Sequence, residues 1–190
     1  MQIPYGYQES EAKEFGRYET LEPGAYICKI LKATEEKAKK SNAQMLVLRL
    51  DIAEGEKMGF YRNQFDKDTR LDKKWPCLYR QLVEGNSTPY FKGMIENHIE
   101  KSNPGYKFNF DENTLAGKLI GVIFGREEYR KEDGTTAFSV KPIRTCSVDE
   151  VKAGIERPKD KLLNLIDQAQ IKSTNYASIG EEIDDMDLPF

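Results

Sequence analysis

The side chains best suited to chemistry gather in one stretch. Phe60, Tyr61, Arg62 and Phe65 precede Arg70, Lys73, Lys74, Trp75, Tyr79 and Arg80. Cations interleaved with aromatic rings suit an unpaired nucleic-acid strand, whose phosphates attract charge and whose base faces stack for about 1–3 kcal/mol each. Further cations flank the stretch. Lys37, Lys39 and Lys40 come upstream, Arg49 sits in an alternating segment, and Arg126, Tyr129, Arg130 and Lys131 approach an Asp-Gly turn. Each alone reads as a solvated surface charge, and only a fold that brings them to one face makes them a site. Trp75, the single tryptophan, follows two lysines; it either touches ligand or packs under its loop.

Other chemistry is poorly supplied. Cys28, Cys77 and Cys146 are far apart, no CxxC pair exists, and His98 is the one histidine. This argues against a disulfide framework and a Cys/His zinc site. His98 reads as a packed, hydrogen-bonded helix residue. Asp66, Asp68 and Asp72 are interrupted by Lys67 and Arg70, and the glycine and closing glutamate of a calcium loop are missing. Gly117, Gly121 and Gly125 lack the Gly-Lys-Ser/Thr ending of a phosphate loop. Gly121 and Gly125 read as positions that allow a sheet to curve. No catalytic residue, cofactor or metal is expected, and the chain reads as a non-enzyme.

The elements that must hold these residues follow from periodicity. After a turn at Glu22-Pro23-Gly24, residues 25–33 read as a first strand. Residues 44–53 alternate, with Leu46, Leu48, Leu50 and Ile52 inward and Val47, Arg49 and Asp51 outward. Residues 57–65 read as a returning third strand, with Phe60 and Arg62 placed outward because an unpaired arginine is costly to bury. Residues 66–75 form a basic loop, and 76–86 a short helix. Thr88 as N-cap with Pro89 opens the main helix, which carries Phe91, Met94, Ile95 and His98 on one face and stops at 102–105. Residues 118–130 and 135–146 read as two strands joined at Asp133-Gly134. Ser147 starts one helical turn, and 159–172 forms a short amphipathic helix that could dock on the barrel or, in a homo-oligomer, on another subunit. An SH3-like barrel or a sandwich also offers five strands, but three strands, a helix and two strands is the order of an OB-like barrel, and the helix position favours it. The expected class is mainly β: a five-stranded OB-like Greek-key barrel with a helix between strands 3 and 4, plus a C-terminal helix and tail.

Leu, Ile, Val and Phe make up 43 of the 190 residues, enough for one modest core. No apolar run is long enough for a membrane span, and the N-terminus lacks the pattern of a signal peptide. A cytoplasmic protein is expected, in the host cytoplasm if phage-encoded. Charge is segregated. The net charge of −3 combines a body of +3 over residues 17–160 with a tail, 181–190, holding five acids and no base. The boundaries read as a polar arm over 1–19, a domain over 20–157, helix and linker over 158–180, and the tail.

The tail ends Asp184-Asp185-Met186-Asp187-Leu188-Pro189-Phe190. An apolar side chain beside acids and a free carboxylate suits a basic-rimmed apolar pocket on a partner. It resembles the acidic tip of bacterial single-stranded-DNA-binding proteins, with Met for one acid and Leu for Ile. The Ser-Asn-Pro-Gly-Tyr-Lys-Phe core (102–108) and the glycine-spaced run from Leu115 to Tyr129 resemble bacteriophage single-stranded-DNA-binding proteins of Gram-positive hosts, a likeness spanning 20–157. It implies an OB-like fold and a role in phage DNA replication or recombination.

The expectation is therefore single-stranded DNA binding through Lys39, Lys40, Arg49, Phe60, Arg62, Lys73, Lys74, Trp75, Tyr79, Arg126, Tyr129 and Arg130. Asp184, Asp185, Asp187, Leu188, Pro189 and Phe190 would recruit replication or recombination proteins. Two rivals stand beside it: an adaptor without strong DNA binding, and an enzyme with a hidden metal site.

Overall fold

The computed structural model describes residues 7–8, 19–39 and 41–163. Within them the chain is mainly β: one five-stranded antiparallel sheet with a few short helices. The strands are β1 (Gly24–Lys37), β2 (Gln44–Ile52), β3 (Leu78–Leu82), β4 (Leu119–Arg130) and β5 (Thr136–Cys146), in spatial order β3-β2-β1-β4-β5. β1 is shared. Its first residues pair with β4 and its remainder with β2, and the register slips between Ile30 and Lys32. Such a bulge bends and twists a strand, which curls the sheet around one core. Among the described residues no helix is long and apolar enough to cross a membrane.

The core lies on one face. Ile30, Leu48, Leu50, Ile120, Val122 and Phe124 are fully buried. The main helix covers them. It opens as α2 (Thr88–Gly93) and runs on as a π-helical stretch, Met94–Glu100, which buries Met94, Ile95 and Ile99. Ser87 rather than Thr88 precedes it, and the Thr88 hydroxyl instead donates to the Val83 carbonyl at 3.1 Å. Asn103 stitches the helix end to β4: its Nδ2 donates to the Ile99 and Leu119 carbonyls and its Oδ1 accepts from Leu119 N at 2.9 Å. The 102–108 motif is thus structural at this position. α3 (Val148–Ala153) begins at a capping box formed by Ser147 and Glu150.

Three element assignments are corrected. Residues 57–65 are not a strand: Phe60–Lys67 is a helix, α1. Phe60, Tyr61, Gln64 and Phe65 fall on one helical stripe, and the first two are buried while Arg62 and Asn63 are exposed. Asp51 fixes the entry. Its carboxylate accepts from Tyr61 N at 3.0 Å, placing negative charge at the helix start. Asp51 is therefore buried rather than outward, as is Val47, while Arg49 is exposed. The third strand is instead 78–82, within the segment read as a short helix. Lastly, residues 159–163 are not helical: Lys161 N donates to the Arg126 carbonyl at 2.9 Å and Glu128 N to the Lys161 carbonyl at 2.8 Å. The rest of the expected 159–172 helix lies outside the described residues.

Gly121 and Gly125 serve close approach. A Cβ at Gly121 would stand 2.7 Å from Cys146 Sγ, the Ser147 carbonyl and Val151 Cγ2, so its absence lets α3 settle on β4. At Gly125 it would meet Ile143 Cδ1 at 2.9 Å.

Candidate nucleic-acid interface

β3 and β5 are the two edges of the sheet, and no ladder joins them among the described residues. Between them runs an open groove of about 750 Å³. One wall is Trp75 to Leu82, the other Val140 to Arg144, and Tyr90 of α2 stands at its side. Its charged lining is Arg80, Lys141 and Arg144, with no carboxylate. Neither Arg80 nor Arg144 forms an ion pair among the described residues, whereas Lys141 Nζ lies 3.2 Å from Glu127 Oε2. Tyr90 is 67% exposed. Tyr79 is half-buried, donates its hydroxyl to Gln81 Oε1 at 3.3 Å, and has its pKa pushed up by burial.

Trp75 forms floor rather than platform. It is buried, its Nε1 donates to the Leu50 carbonyl at 2.8 Å, and its ring meets Phe65 at 5.3 Å between centroids. Two exposed guanidiniums stand over that ring, Arg49 at 5.8 Å and Arg62 at 5.7 Å. Cations held on an indole face and open to water remain available to phosphate. Arg49, Arg62 and Trp75 therefore come together beside the groove, and Tyr79 lines it where it continues into a second hollow.

Other expected residues lie elsewhere. Phe60 is buried in the core, opposite to the outward placement expected of it, because α1 turns its ring inward. Lys73 caps α1, donating to the Phe65 and Asp68 carbonyls at 3.0 and 3.2 Å. Lys74 is exposed outside the groove. Arg126 is held by Asp160 and lies 4.6 Å from the centre of the Phe138 ring. Lys39 lies past the end of β1, whereas Tyr129 and Arg130 extend beyond its beginning, so the two loop regions sit at opposite ends of one long strand. Lys40 and the tail residues Asp184, Asp185, Asp187, Leu188, Pro189 and Phe190 lie outside the described residues.

Tyr90, Lys141 and Arg144 were not singled out from sequence. A signal existed for the last two: they lie within two residues of Pro142, and proline inside a strand marks an edge. A second hollow continues from the first past Tyr79 and Arg144 to His98 and Cys146. His98 Nδ1 lies 2.8 Å from Thr145 Oγ1, and burial lowers its pKa. Burial pushes the Cys146 thiol up to about 11, which leaves it unreactive at neutral pH.

No protein-family model matches the chain, and no curated protein matches it in sequence.

Proposed function

We propose that the chain binds single-stranded DNA in the groove between β3 and β5. The observation that carries this reading is a groove lined by three cations, four aromatic rings and no carboxylate. Arg80, Arg144, Arg49 and Arg62 take phosphates, while Tyr90 and Tyr79 offer faces to bases. Contacts of this kind are tolerant of sequence and weaken with salt as counterions are released. The sheet is read as an OB-like Greek-key barrel left open at its last seam. Its strand order and the helix between β3 and β4 support that reading.

A role in phage DNA replication or recombination, with the acidic tip recruiting partner proteins, rests on the sequence resemblance. Deleting residues 181–190 then leaves or raises DNA affinity while abolishing partner capture. The unpaired edges of β3 and β5 favour one second reading, an adaptor that takes an extended peptide as an added strand. Titration into labelled oligo-dT and into the matching duplex separates the two. Tight, salt-sensitive binding of the single strand supports DNA binding; no binding at low salt leaves the adaptor.

A further inference from the structure

A second groove, of about 650 Å³, opens where β2 begins and β3 ends. Its floor is apolar: Leu46, Val83, Phe91, Ile95, Phe108 and Phe110. Phe91, Phe108 and Phe110 form a run of rings, with centroids 6.5 and 5.4 Å apart. Phe110 is 84% exposed and sits at φ 63°. A bulky residue in the left-handed region is strained. A strained residue that leaves its ring largely open to water points to an external contact. The rim is acidic, with Glu35, Glu96, Glu100 and Glu112 against Lys92 alone. Glu96 is paired with Lys92 and Glu100 with Lys107, which leaves Glu35 and Glu112 unpaired among the described residues.

An exposed apolar side chain among bases is present on the same molecule. In the loop between α1 and β3, Leu71 is wholly exposed. Residues 67–74 around it hold four bases and two acids; Arg70 is paired with Asp68 and Lys73 is turned to the end of α1, so the excess positive charge is carried by Lys67, Lys73 and Lys74 against Asp72. This loop precedes β3, while the groove lies past its end, so one domain cannot seat its own loop. The acidic tail is excluded by like charge.

We propose that the acidic groove receives the Leu71 loop of a second copy of the chain, joining copies head to tail. The knob and the socket are different surfaces, so the contact is heterologous and can repeat rather than close as a two-fold dimer. A loop in a groove buries less than the ~1,000 Å² of a stable interface, so association depends on concentration and weakens with salt. The proposal is independent of nucleic-acid binding and is tested without it.

The test is sedimentation velocity on the full chain and on two variants. Leu71→Asp alters only an exposed side chain. Phe110→Asn removes the ring and suits the left-handed backbone; unchanged thermal melting shows that both are folded. The native chain is expected to gain mass with concentration at low salt. Each variant alone stays monomeric, and an equal mixture forms a heterodimer and nothing larger, because it contains one intact knob and one intact socket. A native chain that is monomeric throughout overturns the proposal and leaves the groove to a foreign basic, apolar segment. A single variant that still associates, or a mixture that does not pair, overturns it as well.

Discussion

The indole of Trp75 donates to the main-chain carbonyl of Leu50, near the end of β2, at 2.8 Å. The bond explains why a tryptophan in a polar loop is buried: it ties the loop's return to the sheet and sets the floor on which Arg49 and Arg62 rest. Trp75→Ala should cost about 3–5 kcal/mol in urea unfolding, as for other large aromatic truncations. Trp75→Phe leaves the Leu50 carbonyl without that donor and should cost about 1–3 kcal/mol. If Trp75→Ala proved neutral in stability, the ring would not be core.

Tyr90 tests stacking apart from stability. It is exposed and contributes no core surface. Tyr90→Ala should leave the melting temperature unchanged and weaken oligo-dT binding by about 1–3 kcal/mol, the contribution of one stacked base. Tyr90→Phe should bind almost as well as the native chain.

The two close-approach glycines should differ. At Gly121 an added methyl meets Cys146, the Ser147 backbone and Val151 together, and Gly121→Ala should cost about 1–3 kcal/mol. At Gly125 the obstacle is Ile143, a half-exposed side chain that can turn away, so Gly125→Ala should cost less. Paired urea melts give the order directly.

His98 should make stability depend on pH near neutrality. Burial, then Arg144 and Lys101, lower its pKa, while Glu150 opposes them. The unfolded imidazole takes up a proton below about pH 6.5, and the folded one resists. The contribution of neutral His98 is therefore complete above that value and is lost as pH falls toward the folded pKa. The urea midpoint should drop as pH falls below about 6.5, and His98→Gln should flatten that drop. An unchanged slope in the variant would assign it to other groups.

Legibility in the sequence followed burial on one face. β2 was readable because Leu46, Leu48, Leu50 and Ile52 all enter the core, and the β4–β5 hairpin because Asp133-Gly134 marks its turn. Residues 57–65 were not, since nine residues satisfy both periods, and the Asp51 carboxylate that receives Tyr61 N at the helix start is remote in sequence. β3 is a five-residue edge strand only partly buried, so it carries little pattern. Of the residues expected from type, Tyr79 lines the candidate groove, and Arg49 and Arg62 stand beside it over Trp75. The groove was not legible as a place, because Arg80 and Arg144 are 64 positions apart in sequence and meet only where the sheet curls.

The central claim is that the groove between β3 and β5 holds the strand. It is tested most directly by anisotropy of labelled oligo-dT across a salt series, comparing the native chain with the Arg80→Ala/Arg144→Ala double variant. Loss of two phosphate contacts should weaken binding ~10-fold or more and make the log–log salt slope less steep by about 1.4. Unchanged affinity and slope in a folded double variant would contradict the claim and move the strand to another face.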